Sequence, residues 1–223
     1  EFVTPDVVRV QYTVENTFIG NGTDVCLARA VDNPVRWVYT PNPDCYLLKS
    51  DSLIVRVDLS TASITYLDKE GGLLLQEDQN IPRISEKRVT KQVIYDEHSK
   101  HIEKTADGDK EIKNVLRYDT IGHTWKYRIN FKWQPLEALY GWGSHMEDYM
   151  NLRGKELYLC QHNLKAMVPV LNSTAGYGLL FDAGCAMMFK DNSEGSFVEL
   201  EAAKQIDYYF MKGKTMDAVV ANY

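Results

Sequence analysis

Between Trp125 and Trp133 every second residue is bulky and apolar: Trp125, Tyr127, Ile129, Phe131 and Trp133 alternate with Lys126, Arg128, Asn130 and Lys132. Successive strand side chains point to opposite faces, so this spacing predicts a strand with one aromatic and one polar face. An aromatic face left in water invites aggregation, so a second sheet has to lie against it. The same period recurs at Val8, Val10, Tyr12 and Val14, and at Leu53, Val55, Val57 and Leu59. A turn near Ser60 to Ala62 leads to Ile64, Tyr66 and Leu67, and Gly71-Gly72 punctuates that run. Shorter strands are expected over 89–95, 114–118, 166–171, 177–181, 186–189, 196–200 and 206–211. Many short strands with almost no helical period predict an all-β chain, a large antiparallel β-sandwich. One helix is expected, at the C-terminal end, with Thr215 as cap, Asp217 in its first turn and Met216, Val219 and Val220 as its apolar face. It reaches Tyr223 after barely two turns, too short to be stable alone, and is read as cut inside the element. The charged stretch from Asp96 to Lys113 reads as a solvated hairpin around Asp107-Gly108.

The chain has 223 residues, of which 44% are hydrophobic, enough for a sizeable core. With 25 Lys and Arg against 31 Asp and Glu the net charge is −6, which argues against nucleic acid as the main partner. No apolar run approaches the roughly 18 residues of a membrane-spanning helix, so no membrane partner is expected. The chain opens Glu1-Phe2-Val3 with neither Met nor a secretory leader, which suggests a piece of something longer. Cys26, Cys45, Cys160 and Cys185 form no C-x-x-C, so a zinc ribbon or redox dithiol is not expected. Four reduced thiols are the favoured reading, with a Cys26–Cys45 bridge left open for an oxidising compartment. The compartment itself stays unknown, the cytoplasm being slightly preferred. Asn21-Gly22-Thr23 and Asn172-Ser173-Thr174 match the short glycosylation pattern, which arises often by chance.

His98 and His101, beside Asp96, Glu97 and Glu103, have a metal-like composition. On a strand, residues three apart face opposite ways, so a polar hairpin tip is the better account and no metal or cofactor is expected. Ser144-His145-Met146-Glu147 matches the capping box of a helix start. It lies between Gly141-Trp142-Gly143 and Arg153-Gly154, in a stretch rich in Tyr, Trp, His, Glu, Asp and Arg. Aromatics suit the apolar faces of pyranose rings, and carboxylates with Arg suit their hydroxyls. An ordinary connection with glycines for tight turns is the structural alternative. Glu147 and Asp148 are adjacent, and a glycosidase pair must face each other across a bond, which chain spacing does not establish. The Gly176-Tyr177-Gly178 segment reads as a turn or bulge, not a ligand cradle.

The segment Leu139-Tyr140-Gly141-Trp142-Gly143 resembles the "YGLG" stretch in the N-terminal domain of glycoside hydrolase family 31, which contains α-glucosidases and α-xylosidases. Asn151-Leu152-Arg153-Gly154-Lys155 resembles its "N-L-R/K-G-K", and Gln161-His162-Asn163 its Q-x-N. Val168-Pro169-Val170 is similar to "I/V-P-F", and residues 176–182 to "GYGLLxD". Asp207-Tyr208-Tyr209-Phe210, with Gly213 and Tyr223, resembles the closing "DYYF…G…Y". The likeness covers roughly residues 139–223, in order and in register, and touches the strand near Thr4 to Val10 loosely. Trp142 departs from the usual Leu, and Ser144 from Glu or Gln.

The resemblance implies a galactose-mutarotase-like sandwich preceding a (β/α)8 barrel that carries both catalytic carboxylates of a retaining mechanism. Neither carboxylate motif is found in these residues, so no catalytic residue is expected here. The implied domain plan is a sandwich over 1–213 and a helix over 214–223 leading toward the barrel. Its partners would be that barrel and an α-linked oligosaccharide substrate. Trp142, His145, Glu147, Asp148 and Arg153 are the expected rim of the substrate pocket, serving position and shape rather than bond cleavage. Two rivals stand beside this: a free-standing carbohydrate-binding module, if the aromatic 125–133 face points outward, and an aldose mutarotase built on a Glu and a His.

Overall fold

The computed structural model describes residues 1–19 and 35–223. The strands in chain order are β1 (Phe2–Thr4), β2 (Val7–Tyr12), β3 (Val38–Pro41), β4 (Cys45–Lys49), β5 (Leu53–Asp58), β6 (Ile64–Asp68), β7 (Leu73–Glu77), β8 (Arg83–Tyr95) and β9 (His101–Thr105). They continue as β10 (Gly108–Ile112), β11 (Val115–Lys132), β12 (Leu139–Gly141), β13 (Glu156–Leu159), β14 (Val170–Ser173), β15 (Tyr177–Phe181), β16 (Met187–Asn192), β17 (Gly195–Ala203) and β18 (Ile206–Lys212), before helix α1 (Met216–Asn222). Two antiparallel sheets face each other, as the period-2 pattern requires. The smaller runs β1-β2-β18-β15-β14-β12, and the larger runs β13-β16-β17-β11-β7-β6-β5-β4-β3 with β8 on the side of β11. No helix among the described residues is long and apolar enough to cross a membrane.

Alternation places Tyr127, Ile129 and Phe131 on the inner side, all buried, so the aromatic face is core and offers no outward platform. The opposing sheet answers with Ile206, Tyr208 and Phe210 of β18 and Tyr177, Leu179 and Phe181 of β15. Phe210 stacks on Tyr66 at 3.9 Å between centroids and on Tyr177 at 5.5 Å. Each such pair adds about 0.5–1.5 kcal/mol beyond the area it buries. One charge sits inside this seam. Glu77, fully buried, accepts from Ile64 N–H at 2.9 Å, Tyr208 hydroxyl at 3.0 Å, and Arg83 at 2.7 and 2.6 Å. Burial pushes its carboxyl up, opposed by the Arg83 guanidinium and these hydrogen bonds. On the outer side of the smaller sheet, Arg9 grips Asp207 through two hydrogen bonds of 2.9 and 2.8 Å.

Helix α1 forms where expected, with Thr215 Oγ1 accepting from Ala218 N–H at 3.2 Å. Val219 is its buried contact, while Val220 points to solvent instead of joining the apolar face. The helix lies over Gly178, where an added Cβ would meet Val219 Cγ1 at 2.5 Å. The charged hairpin is β9–β10, paired from Thr105↔Gly108 to His101↔Ile112. His98 sits in the short turn Glu97–Ser99 that precedes it, capped by Asp96, and His101 opens β9.

Three expectations are corrected. The strands expected at 114–118 and 125–133 are one, Val115–Lys132, because β8 pairs with it along its exposed length and carries it across the interval. The stretch 166–171 becomes a strand only at Val170, past Pro169, which has no N–H to give a ladder. The capping box at Ser144 starts no helix: Ser144 N–H donates to the Ala166 carbonyl at 2.9 Å and the Ser144 carbonyl accepts from Ala166 N–H at 3.0 Å, a β-bridge. Cys45, Cys160 and Cys185 are free thiols. Cys26, and with it the Cys26–Cys45 pair and the Asn21 pattern, lies outside the described residues.

Candidate functional site

The loop leaving β12 is set by three consecutive left-handed residues, Gly141 (φ 129°), Trp142 (φ 63°) and Gly143 (φ 85°). Glycine is required at both ends. A Cβ on Gly141 would strike the Val170 carbonyl, and one on Gly143 would strike the Ala166 carbonyl and lie 2.7 Å from Val168 N. Trp142 takes a conformation that a bulky residue rarely adopts, and its indole N–H has no hydrogen-bond partner. Packing between Phe181 and Phe189, at 5.8 and 6.0 Å, offsets both costs. The Trp142 N–H holds the Val170 carbonyl at 2.8 Å, anchoring the loop to β14.

Beyond this anchor the chain folds over a cleft of about 270 Å³ lined by Tyr140, Gly143, Ser144, His145, Glu147 and Tyr149, among others. Glu147 is its one carboxylate. Lys165 Nζ donates to Glu147 Oε1 at 2.6 Å, and His145 Nδ1 lies 2.9 Å from Oε2. The Lys165 ammonium holds the Glu147 carboxyl below the ordinary carboxylate range. The His145 ring leans on Tyr149 at 5.7 Å, and Lys155 Nζ sits 5.1 Å from the centroid of the Tyr149 ring. Gln161 braces the opposite strand of the loop, donating to Lys165 carbonyl at 2.7 Å and accepting from Met167 N–H at 3.0 Å.

Arg153 works elsewhere. Its Nε donates to Asp191 at 2.9 Å, while Nη1 reaches the carbonyls of Gln134 at 2.8 Å and Glu137 at 3.0 Å. Burial alone would push the Asp191 carboxyl up; Ser196, the Gly154 N–H and Arg153 together outweigh it and hold the carboxyl below its ordinary value. Glu137, also buried, accepts from Gln134 N–H at 2.5 Å, Tyr177 hydroxyl at 2.9 Å and Ser173 hydroxyl. These groups staple the segment between β11 and β14 to both sheets.

Of the five expected rim residues, the structure brings two together at the cleft, His145 and Glu147. Asp148 is exposed and outside its lining. Trp142 is 1% exposed, so its indole supports the loop from below and cannot face a sugar. Arg153 is spent on Asp191 and two carbonyls. Sequence reasoning missed Lys165, which joins Glu147 from 18 positions away and carries no local signal. It also passed over Tyr149, although that residue stood in the aromatic stretch. Chemically, the cleft offers a fixed carboxylate beside a lysine, an imidazole and a phenol ring, a set suited to hydroxyl recognition. Among the described residues no group of three or more His, Cys, Asp or Glu is placed to hold a metal ion.

No protein-family model matches the chain. It is 29% identical over 105 residues, 46% of its length, to an uncharacterized family 31 glucosidase of Pseudescherichia vulneris, covering 19% of that protein. It is 22% identical across its whole length to an alpha-xylosidase of Saccharolobus solfataricus, covering 27% of it. Among solved structures, the family 31 alpha-xylosidase from a soil metagenome, complexed with xylose, superposes with a TM-score of 0.70 at 18% identity, over 99% of this chain and 30% of that one. The chain thus spans 19% to 30% of the length of these three proteins. The resemblance to family 31 holds in the relatives as well as in the sandwich fold.

Proposed function

We propose that this chain is the non-catalytic N-terminal β-sandwich domain of a family 31 glycoside hydrolase acting on α-glycosidic bonds. In this reading it packs on a catalytic barrel and lends the 140–150 loop to the edge of the substrate pocket. The observation that carries it is the full-length alignment to an alpha-xylosidase of which the chain covers 27%. The cleft supports the non-catalytic part: retaining and inverting glycosidases need two carboxylates about 5–5.5 or 6.5–9.5 Å apart, and one lines this cleft. Glu147, oriented by Lys165 and flanked by His145, is the side chain that would position a sugar hydroxyl. The 223-residue chain alone should release no p-nitrophenol from p-nitrophenyl α-glucoside or α-xyloside; turnover above a denatured control overturns the reading. In the full protein, Glu147→Gln should raise KM about three- to tenfold with little change in kcat, as expected for a contact made equally in ground and transition states.

A second reading, sugar affinity as the domain's own task, is favoured by one feature. Trp37, Tyr39 and Tyr46 are exposed at the β3–β4 end of the larger sheet, with the Tyr39 and Tyr46 rings 5.2 Å apart. Titration with maltose, isomaltose and xyloglucan oligosaccharides separates the two. Binding that Tyr39→Ala with Tyr46→Ala abolishes, and Glu147→Gln leaves intact, selects the second reading.

A further inference from the structure

β8 and the first part of β11 leave the sandwich as a two-stranded ribbon, tipped by the β9–β10 hairpin. Residues 115–124 of β11 pair with β8 and with no other strand among those described. A two-stranded ribbon is at best marginal in water by itself, and long open edges are sites of association. Its composition is also unlike the rest of the molecule. β8 and residues 115–124 of β11 hold five Lys and Arg against two Asp and Glu, leaving 20 against 29 for the remaining residues.

The pairing register sorts these side chains into two faces. On one, Arg88 pairs with Glu86 at 3.1 Å and Arg117 with Asp119 at 2.9 Å, while Lys126 and Arg128 both reach Glu199. That face is internally neutralised. The other continues the inner side of the larger sheet past the edge of the sandwich, with Lys87, Val89, Lys91 and Tyr95 of β8 beside Val115 and Tyr118 of β11. It carries no Asp or Glu from either strand. Val89 and Tyr118 are 59% and 60% exposed. Glu15 closes only its root, accepting from Trp125 Nε1 at 2.7 Å.

We propose that this face is the contact through which two copies of the chain associate, the ribbon of each lying on the acidic body of the other about a two-fold axis. Charge complementarity selects the occupant: the face carries Lys87 and Lys91 among aromatic and aliphatic side chains and no carboxylate of either strand, while outside the ribbon the chain holds 29 acidic against 20 basic residues. A two-fold arrangement uses both ribbons and closes without propagating. Screening should weaken it, because the cationic groups meet their partners at an exposed rim.

The test is sedimentation velocity on the full natural protein and, beside it, the 223-residue chain, at about 0.05 M and about 1 M salt. The expected result is a dimer at low salt in both. Its dissociation constant should rise at least about tenfold at high salt, and about tenfold again in Lys87→Glu with Lys91→Glu. Tyr118→Ser should weaken it at both salts. Unchanged thermal unfolding of the variants checks that the sandwich is intact. A monomer under all conditions overturns the proposal, as does a dimer indifferent to all three substitutions. A dimer of the 223-residue chain with a monomeric full protein overturns it too, since the face is then covered within one molecule. None of these outcomes bears on whether glycosides are cleaved.

Discussion

Residues 125–132 of β11 lie beneath the smaller sheet, where Tyr127 and Ile129 are fully buried; residues 115–124 of the same strand pair with β8 alone, and Tyr118 and Ile121 stand in solvent. Both halves are rich in aromatic and β-branched residues and both pair with β8, the inner half as far as Ile129 and the outer half with bulges at Leu116 and Ile121. The difference is the roof. Ladder hydrogen bonds contribute about 1 kcal/mol each after exchange with water, whereas burying a large side chain contributes about 1.5–3 kcal/mol. The inner half is therefore held by what lies across from it, and the outer half mainly by its neighbour in the ribbon.

The sharpest way to break this comparison is one substitution made at both ends. Ile129→Ala should destabilise the chain by about 2–5 kcal/mol, through lost burial and the cavity left behind. Ile121→Ala should stay within about 0.5 kcal/mol of the parent under conditions where the chain is monomeric. Urea titrations of the two variants measure this, and equal losses would mean that the outer half is roofed as well. Smaller than the first effect is that of the loop staple. Asp191→Asn should cost about 1–3 kcal/mol by leaving Arg153 without its charged partner. The Asp191 carboxyl is depressed in the folded chain, so its contribution is complete above the ordinary value of 3.8 and is lost as pH falls through the folded value. Asp191→Asn should accordingly flatten the acid limb of the stability profile. Smallest is the ribbon root. Glu15 is held below its ordinary value of 4.5, first by Trp125 and then by His123, so its tether persists above that pH and is released on further acidification. Trp125 fluorescence should shift over that acid range in the parent and stay constant in Glu15→Gln.

Periodicity read the inner half of β11 well, and 177–181 emerged as β15 with the same bounds, where a short apolar run after Gly176 suffices to mark a strand buried on both faces. It gave no sign of β3, whose four residues are exposed and include Pro41, nor of β13, where Glu156 to Leu159 are too few to show a period. Nor does it say whether a face is covered, which is why the two ends of β11 read as separate strands, 114–118 and 125–133. The candidate site was half legible. His145 and Glu147 stand in a stretch whose composition marks it, but Ser144 to Glu147 imitates a helix start, and only the bridge of Ser144 to distant Ala166 shows why none forms. The left-handed backbone of 141–143 turns Trp142 inward, a consequence that residue identity does not reveal. Lys165 depends on a bridge between distant residues, so no local pattern could find it.

The buried carboxylate Glu77 holds the inner end of β8, inside the sandwich. Arg83, the first residue of β8, is fixed by Glu77, by the Ala62 carbonyl at 3.0 Å and by the Tyr12 ring at 5.2 Å. Mechanically, β8 is a cantilever whose first five residues are held in the sandwich against Trp125 to Ile129, and its outer eight reach about 26 Å beyond. A change of about ten degrees at the clamp swings its far end by about 5 Å. The aim of the whole arm is thus decided in the dry interior, by a guanidinium that its outer residues never touch.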